Sequence, residues 1–126
     1  MHVAAFLCRR VGEGHPPDVE EMGIARVPAS DRKDNYRSMY LCAWVTGTVA
    51  DHGKHTAEFD LVNGFGSPAK LWNQPFTIAP RSYTHLLTKR IEFSLGPGDY
   101  SLRAIVDGTE VYSGPFRIEQ PATRRG

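Results

Sequence analysis

The sequence is poor in most features that announce a function. Its 126 residues hold two cysteines, Cys8 and Cys42, too few for a disulfide-stapled scaffold or a cysteine-ligated zinc module. Neither sign of charge dominates: 15 Lys and Arg stand against 14 Asp and Glu, for a net charge of +1. A nucleic-acid binder ordinarily carries a clear basic excess to displace phosphate counterions, so nucleic acid is not an expected partner. The doublets Arg9-Arg10, Lys89-Arg90 and Arg124-Arg125 read as solvated strand faces and a frayed tail. No apolar run approaches the roughly 18 residues of a membrane span. The opening run Val3–Cys8 lacks both the basic lead and the length, about 7–15 residues, of a secretory signal. The expectation is a cytoplasmic protein with no membrane partner. Its cysteines are expected to be reduced and buried as small apolar residues, with a Cys8–Cys42 bridge left open. Helical periodicity is missing too: no window sustains a 3.6-residue apolar repeat.

What the chain does have is alternation. Composition is that of an ordinary globular domain, 40% hydrophobic and 23% charged, and the length suits one core. "HVAAFLCRRV" at the start is a short apolar run ended by the Gly- and Pro-rich "GEGHPPD". "MGIARVP" is a shorter run and "ASDRKDNYR" a polar loop. "SMYLCAWVTGTV" is the most apolar stretch and reads as a central strand buried on both faces, which places Trp44 in the core. "TAEFDLV" sets Ala57, Phe59 and Leu61 against Glu58 and Asp60. "NGFGSPAKLWNQP" reads as a long loop, and "FTIAP" as a short edge strand fenced by Pro75 and Pro80. "HLLTKRIEFSL" sets Ile91, Phe93 and Leu95 inward. After the "GPGD" turn, Tyr100, Leu102, Ala104 and Val106 share one face, opposite Ser101, Arg103 and Ile105. Asp107-Gly108 marks a hairpin. A three-residue loop returns Phe116 and Ile118 to that face directly; a two-residue loop needs a bulge, expected near Gly114-Pro115.

About 7–8 strands in this arrangement predict an all-β fold, an antiparallel β-sandwich with little or no helix. Residues 1–120 form its single domain and residues 121–126 a flexible tail. The "D-x-G-x-Y"-type corner before Leu102 resembles the tyrosine corner of immunoglobulin-like sandwiches, with Tyr100 as the tyrosine and Leu102 where antibody domains place a cysteine. The segments "HVAAFLCRRV", "GKHTAEFDLVNGFG" and "PGDYSLRAIVDGTEV" together resemble an uncharacterised family of small bacterial proteins, a domain of unknown function. That resemblance implies an all-β sandwich and a bacterial origin, and brings no catalytic residues with it.

Motifs with chemical meaning fail on context. "GFGSPA" fits a dinucleotide fingerprint, but Pro68 and Pro75 leave no room for the helix whose N-terminus would meet the pyrophosphate. "GTVADHGK" has the wrong spacing for a phosphate loop. No nucleophile elbow is present, and thiols within apolar strands are unreactive. Glu20-Glu21 and the Glu58/Asp60 pair read as solvated faces. Asp51, His52 and His55 are the one cluster with metal-ligand chemistry, and a polar turn is the favoured reading for them. No metal or cofactor is expected, and no enzyme.

What remains is surface. The expected loop carries Phe65, Trp72 and Phe76, and Tyr83 follows it; aromatic residues of this kind dominate interfaces and stack on sugar rings. The leading expectation is a non-enzymatic protein-interaction or assembly module that binds another protein through these residues or a strand edge. The alternatives are a carbohydrate- or small-ligand-binding module using the Trp72 loop, and a metal-dependent enzyme at Asp51/His52/His55. The first strand is expected to be covered within a monomer, with a homodimer as the other arrangement.

Overall fold

A computed structural model of the chain describes residues 1–8, 10–11, 19–20, 26–29 and 34–120. The expected loop at 12–18, most of the run at 22–28 and the tail at 121–126 lie outside the described residues, as do Arg9, His15 and Glu21.

Among the described residues ten strands follow in chain order: β1 (His2–Cys8), β2 (Arg10–Val11), β3 (Val19–Glu20), β4 (Arg26–Val27), β5 (Tyr36–Thr46), β6 (Gly53–Asn63), β7 (Pro68–Ile78), β8 (Thr84–Ser94), β9 (Gly98–Val106) and β10 (Thr109–Ile118). One 3₁₀ turn, Val49–Asp51, joins β5 to β6. The fold is all-β. Among the described residues no helix is long and apolar enough to cross a membrane. A three-stranded sheet of order β1-β5-β8 faces a five-stranded sheet of order β4-β10-β9-β6-β7, and β2 and β3 pair separately. Within the two main sheets only the short β4–β10 pairing is parallel.

Alternation decides which side chains meet between the sheets. The three-stranded sheet sends in Val3, Ala5, Leu7, Met39, Leu41, Ala43, Val45, Ile91 and Phe93; the other sheet answers with Ala57, Phe59, Leu61, Leu102, Ala104, Val106, Phe116 and Ile118. All are buried, and each large one contributes about 1.5–3 kcal/mol of transfer free energy. Phe93 meets Phe116 edge to face across the core, with ring centroids 6.3 Å apart. On the solvent side of β6, Asp60 is nearly as buried as the core, and Arg103 on β9 closes a two-pronged ion pair on it at 3.0 and 2.7 Å.

Three expectations are corrected. The segment 63–75 is not a long loop: a tight turn around Asn63–Ser67 leads into β7, an 11-residue edge strand rather than the short "FTIAP". The Asn63 side chain accepts from the Phe65 and Ser67 amides at 2.9 and 3.0 Å, so one polar residue organises the turn. Trp44 is not in the core but 42% exposed, because the inward parity of β5 belongs to Met39, Leu41, Ala43 and Val45. The β9–β10 hairpin is the two-residue kind: Val106 pairs with Thr109, and Asp107 and Gly108 both have positive φ, +51° and +84°. Two successive positive φ values are what the twist of such a hairpin demands. Its register shift falls between Glu110 and Tyr112, upstream of the expected bulge site, and restores Phe116 and Ile118 to the core.

Candidate functional site

The Asp51, His52 and His55 side chains do not converge. Asp51 ends the 3₁₀ turn and accepts from the Thr48 amide and hydroxyl at 2.8 and 3.1 Å. The Thr48 amide is the main reason its carboxyl sits below the ordinary carboxylate range, with the nearby Met1 amino group adding to it. His52 turns away to contact the Tyr83 hydroxyl at 2.9 Å, its ring stacked on the phenol. His55 has an acceptor on each side: the Asp107 carboxylate 2.6 Å from Nδ1 and the Asp51 carbonyl 2.6 Å from Nε2. Two acceptors require two donors, so the ring is held as the imidazolium. The Asp107 hydrogen bond, followed by the Asp51 carbonyl, raises its pKa accordingly. Asp107 is lowered in turn, by His55 first and by the Thr56 amide second. This is a clamp between the start of β6 and the β9–β10 turn. Among the described residues no group of three or more His, Cys, Asp and Glu side chains could hold a metal ion.

The aromatic residues singled out from the sequence are likewise dispersed. Phe65 stands at the tip of the β6–β7 turn, 96% exposed. Trp72 lies on β7, half-buried, and stacks on Phe59 at 5.5 Å, which makes it part of the core wall rather than a loop residue. Phe76 is buried against His55 and tilted toward His85. Tyr83 is half-buried and bonded to His52. The β6–β7 register puts Phe65 and Phe76 at opposite ends of that hairpin. The "GFGSPA" pattern runs into strand β7, so no helix N-terminus follows it.

A different surface was missed. On the outer face of the three-stranded sheet the register aligns Ala4, Trp44 and Leu86 in one row across the strands. Phe6, Cys42 and Thr88 form the next row, and Cys8, Tyr40 and Arg90 the third. Trp44 is the exposed centre of the first row; Phe6, Tyr40 and Leu86 are half-buried around it. The Arg90 Nε donates to Ser38 Oγ at 2.9 Å, which lays the guanidinium along the face. Lys89, its neighbour on β8, is exposed. The two cysteines are fully buried within the same face, and burial pushes both thiols above their ordinary pKa. The sequence did carry a signal for this face. In 38–46 one parity is purely aliphatic, whereas the other holds Ser38, Tyr40, Cys42, Trp44 and Thr46, the aromatic and hydroxyl residues that tolerate water.

No family model matches the chain, and no curated protein matches it. Among solved structures it is similar to Pseudomonas fluorescens alkylpurine DNA glycosylase AlkC bound to DNA containing an abasic site analog, at 11% identity and a TM-score of 0.43. The similarity covers 92% of this chain and 30% of that one, so the chain spans under a third of that protein's length. The expectation of a non-enzymatic protein-interaction or assembly module through the Trp72 loop is corrected by the geometry, which disperses Phe65, Trp72, Phe76 and Tyr83. Its main structural support, and that of the sugar-binding alternative, is also gone, since Trp72 is committed to Phe59. The metal-enzyme alternative loses its ligand set to the contacts of Asp51, His52 and His55.

Proposed function

We propose that the protein binds single-stranded nucleic acid across the outer face of its three-stranded sheet, with a base stacked on Trp44. The observation that carries this reading is the exposure of Trp44, 42%, at the middle of a sheet face that also bears Phe6, Tyr40 and Leu86. A flat face with aromatic side chains in successive rows, about 7 Å apart along the strands, offers stacking positions to unpaired bases. Arg90 lies at one margin to meet a phosphate, and Ser38 and Thr88 supply hydroxyls. The balanced totals of charge argued against nucleic acid, but totals do not record distribution. On this outer face the charged side chains are Arg90 and Glu92, both on β8, so stacking rather than charge supports the reading. Among the described residues His55 is held between two acceptors and both thiols are in apolar burial, which supports a role of binding rather than catalysis.

The immunoglobulin-like form of the sandwich belongs to this proposal. It is supported by the strand order, β1-β5-β8 opposite β10-β9-β6-β7, which follows the A-B-E and G-F-C-C′ order of such domains. It is supported also by Tyr100, whose hydroxyl donates to the Gly96 carbonyl at 2.7 Å at the opening of β9. Kinship with the uncharacterised bacterial family and a cytoplasmic setting are proposed on the sequence alone.

The test is titration with oligothymidylate, read by tryptophan fluorescence in a Trp72→Phe background. The expected result is saturable quenching of Trp44. Trp44→Ala should weaken binding, read by anisotropy of a labelled oligonucleotide, by about 1–3 kcal/mol per stacked base. With one cation engaged, log K should fall against log salt with a slope of only about −0.7. Unchanged Trp44 emission at saturating oligonucleotide, or equal affinity in Trp44→Ala, overturns the reading.

A further inference from the structure

The three-stranded sheet holds one feature that neither the core nor the proposed binding role uses. Cys8 and Cys42 lie on its outer face with their sulfurs 3.2 Å apart, both fully buried. The register makes them diagonal neighbours: Phe6 faces Cys42, and Cys8 faces Tyr40. Diagonal Cα atoms in an antiparallel pair stand about 7–8 Å apart, beyond the roughly 4.4–6.8 Å that a relaxed disulfide spans. A bond here therefore requires the backbone to give, at Cys8, the last residue of β1, or at Cys42 within β5. A bridge closed under such strain is easily reduced.

We propose that Cys8 and Cys42 form a reversible intramolecular disulfide, closed by a small-molecule disulfide and reopened by thiols. Closure occurs by exchange. The thiolate of one cysteine, formed as the end of β1 opens, attacks a sulfur of the oxidant and releases one thiolate. The thiolate of the second cysteine then attacks the protein sulfur of that mixed disulfide and releases the other. Two protons pass from the cysteines to the two departing thiolates, and two electrons pass from the protein to the oxidant. Burial slows the first attack, since it holds the thiols protonated. The pair thus responds to sustained oxidation rather than to a brief pulse. This inference stands apart from the nucleic-acid reading, and its test involves no oligonucleotide.

The experiment uses the reduced full chain and oxidised glutathione. After incubation the protein is unfolded, alkylated and weighed intact. The expected product is a monomer lighter by two hydrogens, with no alkyl group and no glutathione adduct, that excess reduced glutathione reopens without denaturant. A parallel sample refolded from urea in the same buffer removes the barrier of access to buried thiols. Cys42→Ser should stop at a glutathione adduct on Cys8, because the second displacement has no nucleophile. Two alkylated cysteines in both arms, a stable adduct on the wild-type chain, or a cross-linked dimer overturns the proposal. So does a bridge that reduced glutathione opens only after unfolding.

Discussion

The outer face of the five-stranded sheet carries several of its charges in pairs, Asp60 with Arg103 and Asp99 with Arg117, with Arg26 meeting Glu119 just beyond β10 and Lys54 and Glu58 exposed on β6. The outer face of the three-stranded sheet carries Phe6, Tyr40, Trp44 and Leu86 instead, with Arg90 and Glu92 confined to β8. Both sheets bury equally aliphatic inner faces, so the difference is not one of folding. A face of mutually neutralised charges is well solvated and offers a partner little. Exposed aromatic area contributes nothing to the folded state and promotes association. On the proposed reading the smaller sheet meets the partner, and the larger sheet mainly supports it.

The comparison can be tested by substitution, and the largest effect should come from neither outer face. Phe59→Ala removes a fully buried ring from the larger sheet and leaves Trp72 without its stacking partner. It should cost about 3–5 kcal/mol in urea denaturation. Arg103→Met should destabilise by less but clearly, because it leaves the Asp60 carboxylate buried and unpaired. The same change paired with Asp60→Leu should recover most of the loss; failure of that recovery would mean that the ion pair does more than neutralise a buried charge.

On the smaller sheet, Trp44→Ser should cost only about 1–2 kcal/mol, since the ring is already partly in water. In the Trp72→Phe background, Trp44 emission should be readily quenched by iodide. A blue-shifted, protected Trp44 would return it to the core and remove the contrast between the faces.

The smallest effect is one of pH. The pKa of His55 is raised from 6.5 and that of Asp107 lowered from 3.8 by their contact. A raised histidine contributes stability that is complete below its unfolded pKa of 6.5 and is lost as pH rises through the folded value. A lowered carboxyl contributes stability present above 3.8 and lost as pH falls through its folded value. The stability difference between wild type and His55→Gln should therefore be widest between pH 3.8 and 6.5 and should shrink on the alkaline side. A difference that grew with rising pH would show that His55 is neutral in the fold.

Strands with one wet face were legible because alternation records their environment residue by residue. Phe59, Phe93, Leu102 and Ala104 all fall on the predicted side. The strand at 36–46 misled because between 39 and 45 both parities are apolar or aromatic, so hydrophobicity alone does not say which one meets the core. The run at 63–75 misled for a different reason. Its Gly and Pro residues signal breaks, yet Pro68 opens β7 and both Pro68 and Pro75 sit on an edge strand, where a missing amide costs no ladder bond on the open side. The Asp51, His52 and His55 cluster was visible in sequence, whereas Asp107 and Tyr83, which take up the two histidines, lie 52 and 31 residues away.

The sequence by itself determined the all-β class, the inward residues of β6, β8 and β9, and the turn at Asp107-Gly108. Each depends on neighbours one to four positions apart, within reach of backbone sterics and alternation. Tertiary structure decided which face of β5 is wet, that Trp72 closes on Phe59, that Asp60 is neutralised by Arg103, and that two cysteines 34 residues apart come within 3.2 Å. Those outcomes depend on strand order and register, which are set by the packing of one sheet on the other rather than by any local stretch of chain.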